Sequence, residues 1–255
     1  MKIMTISPNK EAQVGFSRIK HLISIGVRPS LGHDRVATES DILECLKLGS
    51  PAFKLHTTHL YNVMSFHHRQ PSLINFLLCR KYPRGEKYAG AVPPSVEIIA
   101  DMIHCHPVAV QNLLTARETA DIAIISDCIS SYEPGKRLKY NGRGITVQAE
   151  GGCYLLDQFG RPTPTLAGST VTLADEFYTL ITHFGVDICA ACQMLATTPA
   201  KIARIDERVG SLEQGKMANI LLLNGELNTI TRRMVYGRWI EDQPYRMLRP
   251  SVSHM

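Results

Sequence analysis

Short apolar runs alternate with stretches of helical periodicity along the first half of the chain, a pattern typical of repeated β–α units. The apolar runs predict parallel strands at residues 3–7, 27–32, 53–58, 98–100 and 122–126. The periodic stretches predict helices at residues 11–25 and 38–48, the second opened by a capping box between Thr38 and Asp41. The pattern therefore predicts an α/β fold.

The later part of the chain has a different pattern. Residues 137–156 are rich in glycine and in residues that favour strands, and they predict hairpins. Two helices and two strands are then predicted, at residues 173–184, 187–196, 218–223 and 230–236. The last two strands predict a small β unit after the β–α units.

Polar residues follow several of the predicted parallel strands directly. His33, His59, His104 and Asp127 each stand just after an apolar run. In a (β/α) barrel, the side chains at the carboxyl ends of the strands carry the chemistry. Four such residues in chain order indicate a functional site at this edge of the predicted sheet.

His33 and His59 follow neighbouring predicted strands, so their imidazoles are candidates for two ligands of one Zn²⁺ or Fe²⁺ ion. The alternative is that each is an ordinary half-buried histidine. Asp127 is a candidate metal ligand or general acid and base. It could equally cap the next helical turn.

Two further clusters suggest a substrate site. His104 and His106 are spaced as residues on one face of a strand, and we assign a substrate-binding role to His104 alone. His67, His68 and Arg69 form a cationic loop in which Arg69 could bind a phosphate, although a solvated charge run is the alternative. The lone pair Cys189 and Cys192, in a predicted helix, is interpreted as part of the core.

Composition narrows the functional class. The 255 residues are 44% hydrophobic and 20% charged, which argues against wholesale disorder. The apolar runs are too short to span a membrane, and no basic stretch interleaved with aromatics predicts nucleic-acid binding. Seven scattered cysteines favour a cytoplasmic setting over a disulfide framework. The formal net charge of +5 suits an anionic ligand such as a phosphorylated small molecule.

An ordered set of motifs resembles one enzyme family. The motifs are Gly32-His33, Thr58-His-Leu-Tyr-Asn-Val-Met64, His67-His-Arg69, Ile99-Ala-Asp-Met-Ile-His104, Ser126-Asp127, Leu166-Ala-Gly-Ser169 and the stretch from Gly210 to Ile220. Together they resemble the N-acetylglucosamine-6-phosphate deacetylases of the amidohydrolase superfamily. The resemblance extends over nearly the whole chain and keeps the order of the motifs.

The resemblance implies a fold. Residues 1–208 would form part of a TIM-like (β/α) barrel of the metal-dependent hydrolases, and residues 209–243 the remaining strands of a small β-sandwich. Residues 244–255 are expected to form a flexible tail. About five barrel strands are predicted here, whereas a complete barrel needs eight, so the chain resembles the C-terminal portion of the family.

The resemblance also implies an activity: deacetylation of N-acetylglucosamine 6-phosphate to glucosamine 6-phosphate and acetate. One divalent metal ion is implied, zinc or else iron or another divalent metal, in a cytoplasmic homodimer. His33 and His59 would be metal ligands, and Asp127 the general base and acid for a metal-activated water. The implied substrate-binding residues are Asn62, Val63, Arg69, Asp101, His104, Leu166, Ala167 and Gly168, with Arg69 acting on the phosphate of the neighbouring subunit's substrate.

Some family features have no counterpart in this sequence. No Glu-Gly-Pro stretch, which supplies the family's acidic metal ligand, occurs, so two of the three expected protein ligands are present. Met102 replaces the glycine of the Asp-Gly-x-His motif, and residues 79–96 are expected to form an inserted surface loop. The alternative function is therefore that of a truncated, inactive relative that binds a sugar phosphate or a partner.

Overall fold

Three short strands at the start of the chain form a parallel sheet in a computed structural model, which describes residues 1–130, 133–241 and 243–247. The strands are β1 (Ile3–Ile6), β2 (Arg28–Leu31) and β3 (His56–Thr57), hydrogen-bonded in the order β1-β2-β3. The helices α1 (Pro8–Ala12), α2 (Ser17–Ser24) and α3 (Glu39–Lys47) lie in the connections. All four residues of β2 are buried, as expected for a central parallel strand. The predicted α/β class is confirmed for this part.

The prediction of one helix over residues 11–25 is wrong, because the helix is broken between α1 and α2. Gly15 and Phe16 both have left-handed backbone, with φ of +61° and +59°. The buried Glu11 carboxylate accepts hydrogen bonds from the Ile19 amide at 2.9 Å and the Arg18 Nε at 2.6 Å. Glu11 thus satisfies a free N–H group in the first turn of α2, which a continuous helix would not expose.

The strand predicted over residues 53–58 is shorter than expected, since only His56 and Thr57 pair with β2. The Arg28 guanidinium donates to the Lys54 carbonyl, and the Phe53 amide donates back to the Ser50 carbonyl at 3.0 Å. These contacts use backbone groups that a longer β3 would need for pairing with β2. The capping box predicted at the start of α3 is confirmed, with the Asp41 amide donating to the Thr38 hydroxyl at 3.3 Å.

Two further strands, β4 (Val96–Ile98) and β5 (Ile122–Ile124), form a two-stranded sheet. The helices α4 (Leu73–Leu77) and α5 (Pro107–Ala116) precede them, and Pro107 occupies the first helical position of α5. Between α4 and β4 the predicted surface loop contains one 3₁₀ turn; its middle, residues 80–90, is mostly exposed, whereas Pro94 and Ser95 at its end are buried. The buried Arg117 guanidinium donates to the carbonyls of Leu77 (2.7 Å), Cys79 (2.9 Å) and Pro94. One side chain therefore ties together the two ends of that loop.

The predicted hairpins are confirmed as an antiparallel four-stranded sheet. Its strands are β6 (Arg137–Tyr140), β7 (Arg143–Val147), β8 (Cys153–Leu156) and β9 (Pro162–Gly168), paired in that order. A small core of Ile145, Val147 and Cys153 lies on one face, with partly buried apolar side chains around it.

The end of the described chain contains helices and a second antiparallel sheet. The elements are α6 (Leu173–Thr182), α7 (Ile188–Cys192), a π-helical turn (Gln193–Thr197), α8 (Thr198–Ile202), β10 (Ile220–Leu223), β11 (Thr229–Val235), β12 (Arg238–Ile240) and β13 (Tyr245–Arg246). The predicted strands near residues 218–223 and 230–236 are confirmed as β10 and β11. The helix predicted at 187–196 changes pitch at the π turn, and Pro199 just beyond it has no N–H to donate four residues back. Residues 248–255 of the predicted tail lie outside the described residues.

The chain divides into two units. The first comprises Met1–Ile98, Val110–Ala123 and Gln193–Ser211, and the second Ile99–Ala109, Ile124–Cys192 and Leu212–Met255. The longest helices have ten residues, and within the described ranges no helix is long and apolar enough to cross a membrane.

Candidate active site

His33 and His59 lie just after β2 and β3, close enough for their rings to meet. Leu31 and Thr57, at the ends of the two strands, are register partners, so the two chain ends leave the sheet side by side. The Nε2 atoms of the two histidines are 2.8 Å apart, and the ring centroids are 4.5 Å apart in an edge-on arrangement. His59 is buried, whereas His33 is exposed. The structure therefore brings the two predicted metal ligands together.

The chemistry of this pair fits a metal ion. Two neutral imidazoles that meet through Nε2 share one hydrogen between these two atoms. A divalent cation that replaced this hydrogen would bind the lone pair of each Nε2 atom. The buried His59 Nδ1 has no hydrogen-bond partner among the described residues. The same part of the chain holds no group of three or more His, Cys, Asp or Glu side chains arranged around a metal position. Protein zinc sites use three or four protein ligands, so the pair accounts for two of them.

The loop that carries His59 has unusual backbone geometry. His59, Tyr61 and Val63 have φ of +26°, +75° and +58°, although none is glycine. Such residues cost on the order of 1–3 kcal/mol each and persist only where the surroundings hold them. The Asn62 amide donates to the His59 carbonyl at 3.1 Å, which closes a tight turn. Asn62 and Val63, both predicted to bind substrate, thus belong to the same turn as His59.

Glu97, in the middle of β4, forms hydrogen bonds that hold the backbone of this loop. One oxygen of its carboxylate accepts the His59 amide hydrogen at 3.0 Å, and the other contacts His56 Nε2 at 2.9 Å. Its own carbonyl accepts the Leu60 amide at 2.7 Å. Burial raises the pKa of Glu97, but the hydrogen bonds from His56 and His59 outweigh it and hold the pKa below its ordinary value. The carboxylate is therefore ionised at neutral pH.

Arg69 lies in an exposed turn that is fixed by its neighbours. His67 Nδ1 accepts hydrogen bonds from the amides of Arg69 (3.3 Å) and Gln70 (3.0 Å). The Asn75 side-chain amide, at the start of α4, donates to the His67 carbonyl at 3.1 Å. The Arg69 side chain is exposed and forms no ion pair with the described residues. The backbone of the turn is thus held while the guanidinium is open to an anion.

In the second unit, Asp101 and His104 form a buried pair. One Asp101 oxygen accepts from the amides of Ile103 (2.9 Å) and His104 (2.8 Å), and the other contacts His104 Nδ1 at 2.7 Å. Met102 between them has φ of +61°, the conformation for which glycine is favoured. The Asp101 contact fixes the ring of His104 and leaves its Nε2 edge for other partners.

A carboxyl group that sequence reasoning did not single out lies next to this pair. Glu176, in the first half of α6, is fully buried, and both of its oxygens lie 3.1 Å from the Ala100 amide. Burial and the nearby Asp101 charge raise its pKa well above the ordinary value.

Asp127 and the predicted sugar-binding strand are neighbours in the second unit. The Asp127 carbonyl accepts the Ser169 amide at 2.9 Å, and Cys128 and Ser169 form a parallel bridge. Gly168 has φ of +138°, and a Cβ there would lie 2.9 Å from Ile129 Cγ2 and 3.0 Å from the Asp127 carbonyl. Only glycine lets β9 approach so closely. Asp127 is exposed with φ of +45°, while Leu166 and Ala167 are half-buried.

Three side chains that were not predicted lie close to the predicted site residues. Glu97 accepts from the His59 amide, His56 contacts Glu97, and Glu176 accepts from the Ala100 amide next to Asp101. Each lies within a strand or a helix, where a single polar residue in the sequence is normally taken to face solvent. His56 is three residues before His59 and Glu97 four before Asp101. That proximity to the motifs is the only signal the sequence offered.

A sequence model of the amidohydrolase family matches residues 36–244. N-acetylglucosamine-6-phosphate deacetylase of Bacillus subtilis is 29% identical over 237 residues, which cover 90% of this chain and 52% of that protein. N-acetylgalactosamine-6-phosphate deacetylase of Escherichia coli O157:H7 is 28% identical, covering 95% of this chain and 56% of that protein. The chain thus spans about half the length of the curated relatives it matches.

Solved structures agree in fold. The N-acetylglucosamine-6-phosphate deacetylase of Pasteurella multocida matches with a TM-score of 0.76 at 22% identity, over 95% of this chain and 57% of that one. A mutant of the Mycobacterium smegmatis enzyme, in complex with N-acetyl-D-glucosamine-6-phosphate, matches with a TM-score of 0.77 at 22% identity, over 94% and 57%. The resemblance of the motifs to these deacetylases is confirmed by the relatives of that name. Since the family model covers most of its residues, the chain belongs to the amidohydrolase family.

Proposed function

We propose that this chain acts in the hydrolysis of the acetamide group of N-acetylglucosamine 6-phosphate, which yields glucosamine 6-phosphate and acetate. The observation that carries the proposal is the 2.8 Å approach of His33 and His59 through Nε2 at two neighbouring strand ends. Relatives named as deacetylases of N-acetylated hexosamine 6-phosphates supply the substrate class.

His33 and His59 hold one divalent metal ion in this proposal, with zinc the first candidate and iron or another divalent metal the alternative. When bound, such an ion lowers the pKa of water and polarises a carbonyl group. The two histidines are two of its ligands, and the remainder come from outside the described residues or from water.

Asp127 is the general base and acid. Its carboxylate takes a proton from the water whose oxygen bonds to the acetyl carbon. It returns that proton to the amine nitrogen as the carbon–nitrogen bond breaks. Without the proton, the amine would be a poor leaving group. The exposed position of Asp127, with its backbone fixed by Ser169, supports this role.

Several side chains and backbone groups bind the substrate. His104, whose ring Asp101 orients, contacts the sugar, and the backbone of Leu166–Gly168 lines the sugar pocket. Asn62 and Val63 hold the phosphate end. Arg69 binds the phosphate, in a homodimer in which it acts on the substrate of the neighbouring subunit. A guanidinium in an ordered, exposed turn supports that role.

For the fold, we infer that residues 1–208 form part of a TIM-like barrel and residues 209–243 strands of a small β domain. The parallel order β1-β2-β3 with helical crossovers supports the first inference. The antiparallel sheet of β10, β11 and β12 supports the second.

One observation favours a second function. With only two metal ligands grouped in the described ranges, the chain could be an inactive relative that binds a sugar phosphate or a partner protein. This alternative keeps the role of Arg69 and removes that of Asp127.

The test is acetate release by the purified chain supplied with Zn²⁺, with the 6-phosphates of N-acetylglucosamine and N-acetylgalactosamine as substrates. We expect turnover that Asp127→Asn lowers at least about a hundredfold, as expected for loss of a general base. Asp206→Asn, a half-exposed carboxylate outside the candidate site, is the matched control. Calorimetric binding of the sugar phosphate without any acetate release would favour the inactive relative instead.

A further inference from the structure

A buried polar network lies behind the His59 loop. His56 is 1% exposed, and its Nδ1 contacts the Ser95 hydroxyl at 2.9 Å while its Nε2 contacts Glu97 at 2.9 Å. The Ser95 hydroxyl also lies 3.3 Å from the Leu55 carbonyl. Three polar side chains from two neighbouring chain segments are thus joined in one network.

This network can satisfy all of its members. The Glu97 carboxylate only accepts, so His56 Nε2 carries a hydrogen and donates it. The His56 Nδ1 lone pair then accepts from the Ser95 hydroxyl. The second Glu97 oxygen is free to accept from the His59 amide, the contact at 3.0 Å. One oxygen of the Glu97 carboxylate is therefore bonded to His56, and the other is bonded to the loop that carries the proposed metal ligand His59.

Packing alone does not explain the network. Burying a carboxylate and an imidazole costs free energy that an apolar pair of similar volume would not. Meanwhile the backbone of His59 has a left-handed φ of +26°, which its surroundings must impose. Glu97 bonds both to the His59 amide through its side chain and to the Leu60 amide through its carbonyl. It is thus the group that fixes this strained turn.

We propose that Glu97, held by His56, is a positioning residue that sets the orientation of His59 for metal binding. The inference rests on the proposed function, in which His59 is a metal ligand. It concerns the backbone of His59. The Glu97 carboxylate holds this backbone in place and so sets the direction in which the His59 ring projects, and His56 holds the carboxylate in place. Partners that orient metal ligands in this way typically change metal affinity about 10- to 100-fold when removed.

The experiment compares Zn²⁺ affinity, by calorimetric titration of the metal-free chain, across a small set of variants. Glu97→Met keeps the volume but removes the acceptor, and we expect its dissociation constant to rise about 10- to 100-fold. Glu97→Gln should rescue most of the affinity, because its amide oxygen can still accept from the His59 amide while His56 changes tautomer. Glu44→Met, at an exposed position on α3, is the matched control.

A second variant covers the case in which Glu97→Met does not fold. The double variant His56→Phe with Glu97→Met removes the buried imidazole together with the carboxylate, and the Ser95 hydroxyl keeps its contact with the Leu55 carbonyl. It should therefore fold while losing the same affinity as the single variant. Wild-type affinity in either folded variant, with His59→Ala still unable to bind Zn²⁺, would overturn the positioning role and leave the proposed function standing.

A measurement without metal separates the two proposals. Hydrogen exchange of the His59 amide, followed by NMR, should be at least about tenfold faster in Glu97→Met than in the wild type, with the Ile19 amide unchanged. If the wild-type chain binds no Zn²⁺, the metal part of the proposed function is wrong, and this exchange rate alone decides the positioning role. An unchanged His59 rate would overturn it.

Discussion

Single residues with left-handed backbone recur in the turns of the candidate site. His33, His59, Val63, Met102 and Asp127 all have positive φ, and none is glycine. Each lies in or beside a turn whose amides are bonded by a specific side chain or strand. Backbone strain of this kind is tolerated where the fold holds it, and it concentrates at functional positions.

The phosphate role of Arg69 gives a prediction on substrate selectivity. Replacing Arg69 by alanine removes a charged hydrogen-bond donor, so the Michaelis constant for N-acetylglucosamine 6-phosphate should rise about 10- to 100-fold. The constant for unphosphorylated N-acetylglucosamine should change little. Steady-state kinetics on both sugars would measure this, with Arg84→Ala, in the exposed loop, as the control. An equal rise for both sugars would exclude phosphate recognition by Arg69.

Glu176 predicts how stability depends on pH. Its pKa is raised in the folded chain by burial and by Asp101, so its stabilising contribution is complete below the unfolded pKa and is lost as pH rises through the folded pKa. Glu176→Gln should therefore match the wild type near pH 4.5 and become relatively more stable as the pH rises.

Urea unfolding at several pH values would measure this difference. Glu207→Gln, at an exposed position, should show no such trend. A Glu176→Gln difference that is constant with pH would contradict a raised pKa for the buried Glu176 carboxyl group.

The sequence allowed some of these residues to be predicted and not others. His33 and His59 follow apolar runs, so their place at strand ends could be read from the pattern. Glu97 and Glu176 could not, because their partners lie 38 and 76 positions away along the chain. A polar residue within a strand or helix looks the same in sequence whether it faces water or a distant loop.

At the scale of elements, the sequence pattern correctly predicted features whose stabilising contacts join residues close together in the chain. The capping box of α3 depends on residues three apart and was predicted. The break between α1 and α2 was not, since it depends on the burial of Glu11, which apolar periodicity does not report. The length of β3 was also overestimated, because the Arg28 side chain takes the Lys54 carbonyl.

The close approach of β9 to Asp127 gives a prediction at this scale. Gly168→Ala would place a methyl group against Ile129 and the Asp127 carbonyl, so we expect a loss of about 1–3 kcal/mol in unfolding free energy. Activity should fall further than stability explains, because Asp127 is displaced. Gly142→Ala is the matched control: it also has positive φ, at +77°, but open space around it. Equal effects in the two variants would mean that strain alone is responsible.

For the whole molecule, the proposed homodimer can be tested directly. Several apolar side chains of the last sheet are exposed, among them Leu221, Trp239 and Ile240, and exposed apolar patches commonly mark association surfaces. We expect sedimentation equilibrium to give about twice the chain mass of 28.4 kDa. A single species at the chain mass, at micromolar concentration, would contradict the dimer.

The hydrogen bonds of Arg117 determine which changes the loop between α4 and β4 can tolerate. Its guanidinium holds the carbonyls of Leu77, Cys79 and Pro94, so the loop between them is closed by a buried cation rather than by its own sequence. The entropy of closing such a loop grows only slowly with its length. The exposed basic residues along it, Lys81 and Arg84 among them, are natural sites for trypsin. A chain nicked there would keep its two fragments joined, and the same position would accept a grafted peptide.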